Sequence, residues 1–308
     1  QSGYSTRKMN AGLIRNRGVE LSLGGMPVST KNWKWEMNFN IAKNSNKLVE
    51  LADGVDSYSI YWTSFTTRLY NYAMVGKSLG VITGNTWERD DNGNIIFHEL
   101  SASQKALYGG EYVPTYNQNT LDELGNFHPD FTGGFNTSIS FKNFRLSANI
   151  DFSVGGQIVS YTNMWGSSSG ILDKTAELND RGVNVREPVS KGGGIHMTGV
   201  DQNGNKVDTY VNAKLYYTTA SRVWEEWVYD RTYVKLREVS LSYVFPSQTL
   251  KKLNIGLSRA SVAINASNPW LIYSACPNVD VSEIGMGYFE GGNAAATRSI
   301  GFTVNLAF

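Results

Sequence analysis

From Phe144 to Val154 every even position is apolar and every odd one polar: Phe144, Leu146, Ala148, Ile150, Phe152 and Val154 alternate with Arg145, Ser147, Asn149, Asp151 and Ser153. Successive side chains of a strand point to opposite faces, so this run predicts a strand with one apolar and one polar face. The same period recurs in Val19–Leu23, in Trp33, Trp35, Met37, Phe39 and Ile41, in Phe131, Phe135, Ile139 and Phe141, in Val239, Leu241, Tyr243 and Phe245, and in Ile300–Phe308. Val234 and Leu236 sit on the parity opposite to Val239, which predicts a bulge near Arg237-Glu238. A similar phase change separates Ile255 and Leu257 from Val262 and Ile264. The best helical candidate is the short stretch Ser101–Tyr108.

These runs approach ~10 residues, the length of a tilted strand that crosses a bilayer and longer than the ~5–6 typical of soluble sheets. Connections are unequal. Gly25–Asn32, Lys142-Asn143 and Pro246–Leu253 are short, whereas Leu48–Tyr72, Gln157–Ser221 and Pro269–Ala294 are long and rich in Gly, Asn, Ser and aromatics. Strands that alternate up and down put short turns at one end and long loops at the other, the asymmetry of an antiparallel transmembrane β-barrel. Trp33, Trp35, Phe141, Phe144, Tyr243, Phe245 and Phe308 lie on the apolar faces beside the short turns and read as one interfacial girdle. A soluble β-sandwich also alternates. Uncharged outward faces favour the bilayer, where Arg or Lys at the midplane costs ~2–4 kcal/mol; Arg298 breaks parity only at a strand end, where the cost falls toward ~0–1 kcal/mol.

Composition excludes other classes. An apolar content of 41% is too high for a disordered chain. A net charge of +1 leaves no electrostatic footprint for nucleic acid. The single cysteine, Cys276, excludes an internal disulfide framework and a Cys-rich metal site. No run approaches ~18 consecutive apolar residues, so no transmembrane helix is expected.

Catalytic motifs are weak, and no catalytic residue is expected. Gly166-Ser167-Ser168-Ser169-Gly170 has the spacing of a nucleophile elbow, with Asp173 and His196 downstream, but lies in a Ser/Gly-rich loop. Gly76-Lys77-Ser78 lacks the first glycine of a P-loop, where Asn71 stands. Asp90-Asp91-Asn92-Gly93-Asn94 and Asp201-Gln202-Asn203-Gly204-Asn205 are better hairpin turns than calcium loops, although calcium held in a loop is an alternative. His98, His128 and His196 have no metal-ligand spacing. Glu225 and Glu226, read as strand neighbours, point to opposite faces and cannot share one glycosidic bond. Tyr161, Trp165, Trp224 and Trp227 are the substrate-binding candidates, since rings stack on sugars or peptide side chains; the same rings also suit loop packing.

Two segments resemble a known family. One is Leu124-Gly125-Asn126-Phe127-His128-Pro129-Asp130-Phe131-Thr132-Gly133-Gly134-Phe135, continuing to Asp151-Phe152-Ser153-Val154-Gly155-Gly156-Gln157. The other is Tyr233-Val234-Lys235-Leu236-Arg237-Glu238-Val239-Ser240-Leu241-Ser242-Tyr243, continuing to Asn268-Pro269-Trp270. Asn16-Arg17-Gly18-Val19-Glu20-Leu21 and Arg298-Ser299-Ile300-Gly301-Phe302 add support. Together they resemble the SusC/RagA-type TonB-dependent transporters of Bacteroidota outer membranes. Pro269 departs from the pattern, which carries an apolar residue there.

The resemblance implies that residues 1–308 are the C-terminal portion of a TonB-dependent receptor barrel, with about nine of 22 strands present and residues 157–221 a long extracellular loop. About thirteen strands, a plug and a TonB box would precede Gln1-Ser2-Gly3, a start without Met or signal pattern. The long loops would be extracellular and the C-terminus periplasmic. Counting back from Phe308 keeps the Lys142-Asn143 turn periplasmic if Leu79–Leu100 contributes one strand pair or none. The partners implied are a SusD-type surface lipoprotein, TonB through the upstream part, the lipid bilayer, and an oligosaccharide or peptide ligand. A dimer of transporter–lipoprotein pairs is the assembly it suggests. Apart from loop-bound calcium, no cofactor is expected. Outside the resemblance, the alternative is a non-transporting glycan-binding or adhesive surface protein.

Overall fold

Seven long antiparallel strands hydrogen-bond in chain order into one sheet among the described residues. They are β1 (Leu13–Ser29), β2 (Trp33–Glu50), β3 (Phe131–Phe141), β4 (Phe144–Val154), β5 (Tyr233–Val244), β6 (Arg259–Ser274) and β7 (Ser299–Ala307). The structure is a computed structural model and describes residues 12–63, 67–118, 121–253, 256–284, 289–292, 294 and 296–308. No helix among these residues is long and apolar enough to cross a membrane, which says nothing about strands.

Register carries the alternation from strand to strand. Trp35, Ile139, Leu146, Leu241, Ile264 and Phe302 lie opposite one another across β2 to β7. Two layers further along, Leu23, Phe39, Phe135, Ile150, Leu236 and Trp270 do the same across β1 to β6. A one-residue slip in any strand would turn its apolar set to the other face, so the pattern itself enforces this register. The apolar face has nothing packed over much of it: Leu23, Ile139, Leu146, Leu241, Ile264, Phe302 and Val304 are all exposed. The opposite face carries polar rows such as Asn38–Asn136–Asn149 and Glu36–Ser138–Ser147–Ser240–Asn265.

The bulge expected near Arg237-Glu238 is present. Register shifts where Leu236 and Glu238 pair with Ile150 and Asn149 on one side and with Trp270 and Ser267 on the other. Opposite Arg237 lie Asn268, with φ of 50°, and Pro269. Proline has no N–H to give, so it fits where the ladder is already interrupted. Strand β6 therefore runs through Pro269 to Ser274, and the last long connection begins after it. Leu257 lies between α4 (Ser247–Leu253) and β6, while Ile255 lies outside the described residues. The helix expected at Ser101–Tyr108 is α1 (Ala102–Tyr108), closed by a capping box between Ser101 and Gln104.

Connections alternate in length. Residues 30–32, 142–143 and 245–258 join strands at one end, and 51–130, 155–232 and 275–298 at the other. Among the described residues the wall holds seven strands rather than about nine. Val81–Gly84 and Ile96–Glu99 have 4 residues each, short of the ~9–11 needed to traverse. They join small sheets at the long-loop end, so the Leu79–Leu100 region adds no strand pair to the wall.

Gly133 shows how tightly the wall is drawn. A Cβ there would meet the Asn40 carbonyl oxygen at 2.4 Å and the Phe152 ring at 2.5 Å, while one at Gly301 meets nothing within 4 Å. Phe152 lies across this gap and stacks on Phe39, ring centroids 6.1 Å apart. Gly133→Ala in the full-length protein should therefore cost about 1–3 kcal/mol through overpacking. The expected result is a lower denaturant midpoint for Gly133→Ala and an unchanged one for Gly301→Ala.

Candidate functional site

The long connections fold into a body of their own above the sheet. Ser57–Thr63, Leu69–Met74, Val81–Gly84 and Asp122–Asn126 form one four-stranded sheet. Lys206–Val211, Ile195–Asp201, Ile96–Glu99 and Tyr112–Pro114 form a second, and Val228–Asp230, Gln157–Ser160 and Phe289–Glu290 a third with three strands. Two helices, α2 (Tyr161–Ser168) and α3 (Ala213–Ala220), pack among them. Residues 157–221 do not stand alone as a loop: Ile195–Asp201 pairs with Ile96–Glu99 from the preceding connection.

This packing decides what the candidate rings can do. Tyr161, Trp224 and Trp227 are 5%, 0% and 1% exposed and belong to one core with Ile82, Trp87, Met164 and Val223. Tyr161 meets Trp224 edge-on at 5.1 Å, and the Trp227 indole donates to the Ala220 carbonyl at 2.7 Å. Their faces are spent on protein, so they are core residues rather than a ligand platform. Trp165, 42% exposed, alone of the four presents surface.

A second set of rings lies on the hairpin Ser57–Thr63/Leu69–Met74. Trp62 is 59% exposed. It stacks on Tyr70 at 6.4 Å, and Tyr70 stacks on Tyr72 at 5.3 Å. The signal for them was the aromatic density of the Leu48–Tyr72 connection, which gave no hint of which rings would stay outside.

A cleft of about 390 Å3 is lined by Asn38, Asn136, Asn149, Ser147, Arg145 and Glu238. Arg145 reaches Glu36 at 3.3 Å and Ser138 at 3.0 Å. Toward the long-loop end Lys235, only 2% exposed in its side chain, donates to Asp280 at 2.7 Å and to Glu283 at 2.6 Å. Arg237, freed from the ladder by the bulge, bonds Asp151 at 2.8 Å and also reaches Glu283. The 275–298 connection is thereby latched onto the polar face. Hydrogen bonding from Lys235 lowers the Glu283 carboxyl below its ordinary range. At Asp280 burial acts upward, and the bonds from Lys235 and Ser282 outweigh it to leave that carboxyl lowered too.

The motifs with catalytic spacing are used structurally. Ser168 ends α2 and donates to the Trp165 carbonyl, while the His196 nitrogens face Asp180 at 2.9 Å and Asp208 at 2.8 Å. Nucleophile and base therefore do not meet. Glu225 and Glu226 lie in a 3-10 turn, Trp224–Trp227, not in a strand. Glu225 accepts from the Trp87 amide at 3.0 Å and Glu226 from the Trp87 indole at 2.6 Å. Their task is to hold a core tryptophan. Asp90 and Asp201 each accept the amides two and four residues ahead at 2.8–2.9 Å, closing two turns of one geometry. Among the described residues no group of three metal-ligating side chains converges. Ser78 donates to Asn46, and Lys77 pairs with Glu123.

No family model matches the chain. TonB-dependent receptor P3 of Formosa agariphila is 27% identical over 287 residues, covering 91% of this chain and 26% of the receptor. TonB-dependent receptor SusC of Bacteroides thetaiotaomicron is 38% identical over 157 residues, 48% of this chain and 15% of that protein. The RagAB peptide transporter shares the fold, with TM-score 0.64 and 17% identity over 100% of this chain and 31% of its own. Its 'closed-closed' state gives a TM-score of 0.66. The chain spans 26% to 30% of the length of the receptors it matches along most of its own.

Lys235→Met would leave Glu283 with Arg237 and take from Asp280 the ammonium at 2.7 Å; because the two carboxylates are 19% and 34% exposed, the loss falls below the ~3–5 kcal/mol of a fully buried pair. Cys276 reports on the latch: it is buried, and burial pushes its thiol up to about 12. In a full-length protein with this as the sole thiol, Lys235→Met should raise dithiodipyridine labelling of Cys276 at least tenfold. Because both carboxyls are lowered, their contribution is complete above the ordinary range of ~4 and is lost as pH falls through the lowered values. Wild-type Cys276 should accordingly stay protected at pH 6 and become labelled only below about pH 4.

Proposed function

Because the chain is of the SusC/RagA type of TonB-dependent receptor, we propose that it supplies wall and loop surface to an outer-membrane importer of oligosaccharides or peptides. The observation that carries this reading is the apolar band in register across seven strands, exposed on one face while the other face is polar. A soluble sandwich would cover such a face with a second sheet. Here the loop body sits at the strand ends and leaves the band bare. Hydrocarbon is the environment in which that band needs no cover and in which unpaired edges are not tolerated, so β1 and β7 pair with further strands of the barrel.

In this reading the short turns face the periplasm with Phe308, and the loop body faces outward. Trp33, Trp35, Phe141, Phe144, Tyr243 and Phe245 form the girdle at the periplasmic boundary. Within it Trp33 packs on Phe141 at 4.3 Å and Phe144 on Tyr243 at 4.7 Å. Trp165 and the Trp62–Tyr70–Tyr72 ladder are the surface rings for ligand or for a SusD-type lipoprotein lid, which would pair with the transporter, including as a dimer of such pairs. TonB acts through parts of the receptor outside these residues. The 275–298 connection, latched over the polar face, lies on the path of the cargo.

Two measurements test this. Ile150→Arg places a charge on the apolar face near mid-strand, at ~2–4 kcal/mol, and Leu146→Arg one on the same face nearer the girdle, at a smaller cost, whereas Ser147→Arg faces the polar side. Heat-modifiable gel mobility of the full-length protein should be lost for the first two and kept for the third; equal behaviour of all three contradicts the orientation. Deleting the gene should abolish uptake of the labelled oligomer that supports growth, and unchanged uptake would leave the adhesive alternative.

A further inference from the structure

Four charged side chains share the parity of the apolar band in the seven wall strands, among the described residues, and all four are cations in one place. In β2 the parity of Trp33, Trp35, Met37, Phe39 and Ile41 continues through Lys43 and Lys47. In β1 the parity of Leu23, Leu21 and Val19 continues through Arg17 and Arg15. Register sets them on one face: Lys43 pairs with Val19, Ser45 with Arg17 and Lys47 with Arg15, with no shift from Ile14 to Gly25. Exposure agrees with register. Lys43, Ser45 and Lys47 are exposed, while Asn46 and Leu48, of the opposite parity, are buried. Asn46 accepts from Ser78 and from the Leu79 amide, so the loop body covers that face and leaves the cations on the other.

Their height matches the top of the band. Lys43 lies ten residues along β2 from Trp33 in the girdle. That is about 34 Å of strand, which a tilt of ~40° reduces to about 26 Å, against a band ~25 Å tall. Arg17, Arg15 and Lys47 stand above it, within about 10 Å toward the loops. The Lys43 ammonium lies 5.0 Å from the centre of the Phe131 ring, an exposed aromatic at the loop end of β3. Among the described residues no carboxylate lies within ion-pair distance of any of the four. Residues 51–130, 155–232 and 275–298 carry 22 acidic residues against 13 Lys and Arg, so acid is plentiful at this end and yet stands apart from these cations. Arg15 and Lys47 lie directly opposite each other, where like charges repel. An anion between them removes that repulsion. Unpaired cations on the outside of the wall, bordering hydrocarbon, fit an anion that carries acyl chains.

We propose that this patch binds the phosphate of a lipid in the loop-side leaflet, with Arg15 and Arg17 on the phosphate oxygens, Lys43 and Lys47 beside them, and the acyl chains along Val19, Ile41 and Phe131. The proposal rests on the membrane-spanning reading above. It adds to that reading a lipid partner held at one place on the wall, the loop end of β1 and β2. A guanidinium meets phosphate through two parallel N–H donors. Each cation near an anionic lipid surface strengthens the attraction roughly fivefold.

The test uses the full-length receptor in phosphatidylcholine nanodiscs that contain equal parts of monophosphoryl lipid A and the same lipid after enzymatic dephosphorylation. Lipids retained on the released protein are identified by native mass spectrometry. The wild type should retain the phosphorylated form at least fivefold over the dephosphorylated one. Arg15→Gln/Arg17→Gln/Lys43→Gln/Lys47→Gln should bring that ratio close to one, and Lys34→Gln, on the polar face of β2, should leave it unchanged. The double variants Arg15→Gln/Arg17→Gln and Lys43→Gln/Lys47→Gln should fall between, and they carry the test if the quadruple variant does not assemble. A wild-type ratio near one, a ratio untouched by both double variants, or an equal loss in Lys34→Gln overturns the proposal. Displacement of the retained lipid by millimolar inorganic phosphate would reassign the patch to a free anion and overturn it as a lipid site. Failure of the wild type to enter nanodiscs as a heat-modifiable barrel would instead overturn the membrane reading, so the two failures are distinguishable.

Discussion

A backbone amide in hydrocarbon has no water to bond, so each wall strand depends on the strand beside it. Strict register follows from that dependence. Once β2 pairs with β3, and β3 with β4, the period of two forces Trp35, Ile139 and Leu146 onto one face and Glu36, Ser138 and Ser147 onto the other. The sheet thus separates two environments. Close approaches such as Phe152 over Gly133 are what such pairing permits and what a single added carbon would spoil.

The strand ends solve a different problem. The 51–130 and 155–232 connections are long enough to bury a core, and they do so together around Trp224, Trp227 and Trp87. The 275–298 connection contributes Phe289–Glu290 to a small sheet and is fastened below by Lys235. A fully buried lysine is tolerable here because two carboxylates and the Ser282 hydroxyl meet its three donors. The bulge at Arg237 brings a second cation to the same place.

The wall was legible in the sequence because period-two alternation is local: each strand declares its own two faces. The Arg237 bulge was legible for the same reason, as a break in parity between Leu236 and Val239. The loop body was not. Whether Trp224 or Trp62 stays outside depends on what packs over it from distant segments, and both are tryptophans in aromatic-rich connections. As neighbours in a strand Glu225 and Glu226 would point apart; they sit instead in a 3-10 turn and both bond Trp87, a residue 138 and 139 positions away. Lys235 could be placed on the polar face, but its partner Asp280 lies 45 residues on. The strand count was too high because Val81–Gly84 and Ile96–Glu99 are strands, yet of the loop body.

The central claim is that the even-numbered side chains of β4 face lipid and the odd-numbered ones do not. Nitroxide labels placed singly from Phe144 to Val154 in the full-length protein in bilayers read this directly through collision with oxygen, which concentrates in hydrocarbon, and with a water-soluble nickel chelate. The expected result is oxygen accessibility that peaks at every even position, with nickel accessibility low there. A flat oxygen profile, or even positions open to nickel along the whole strand, would contradict the account.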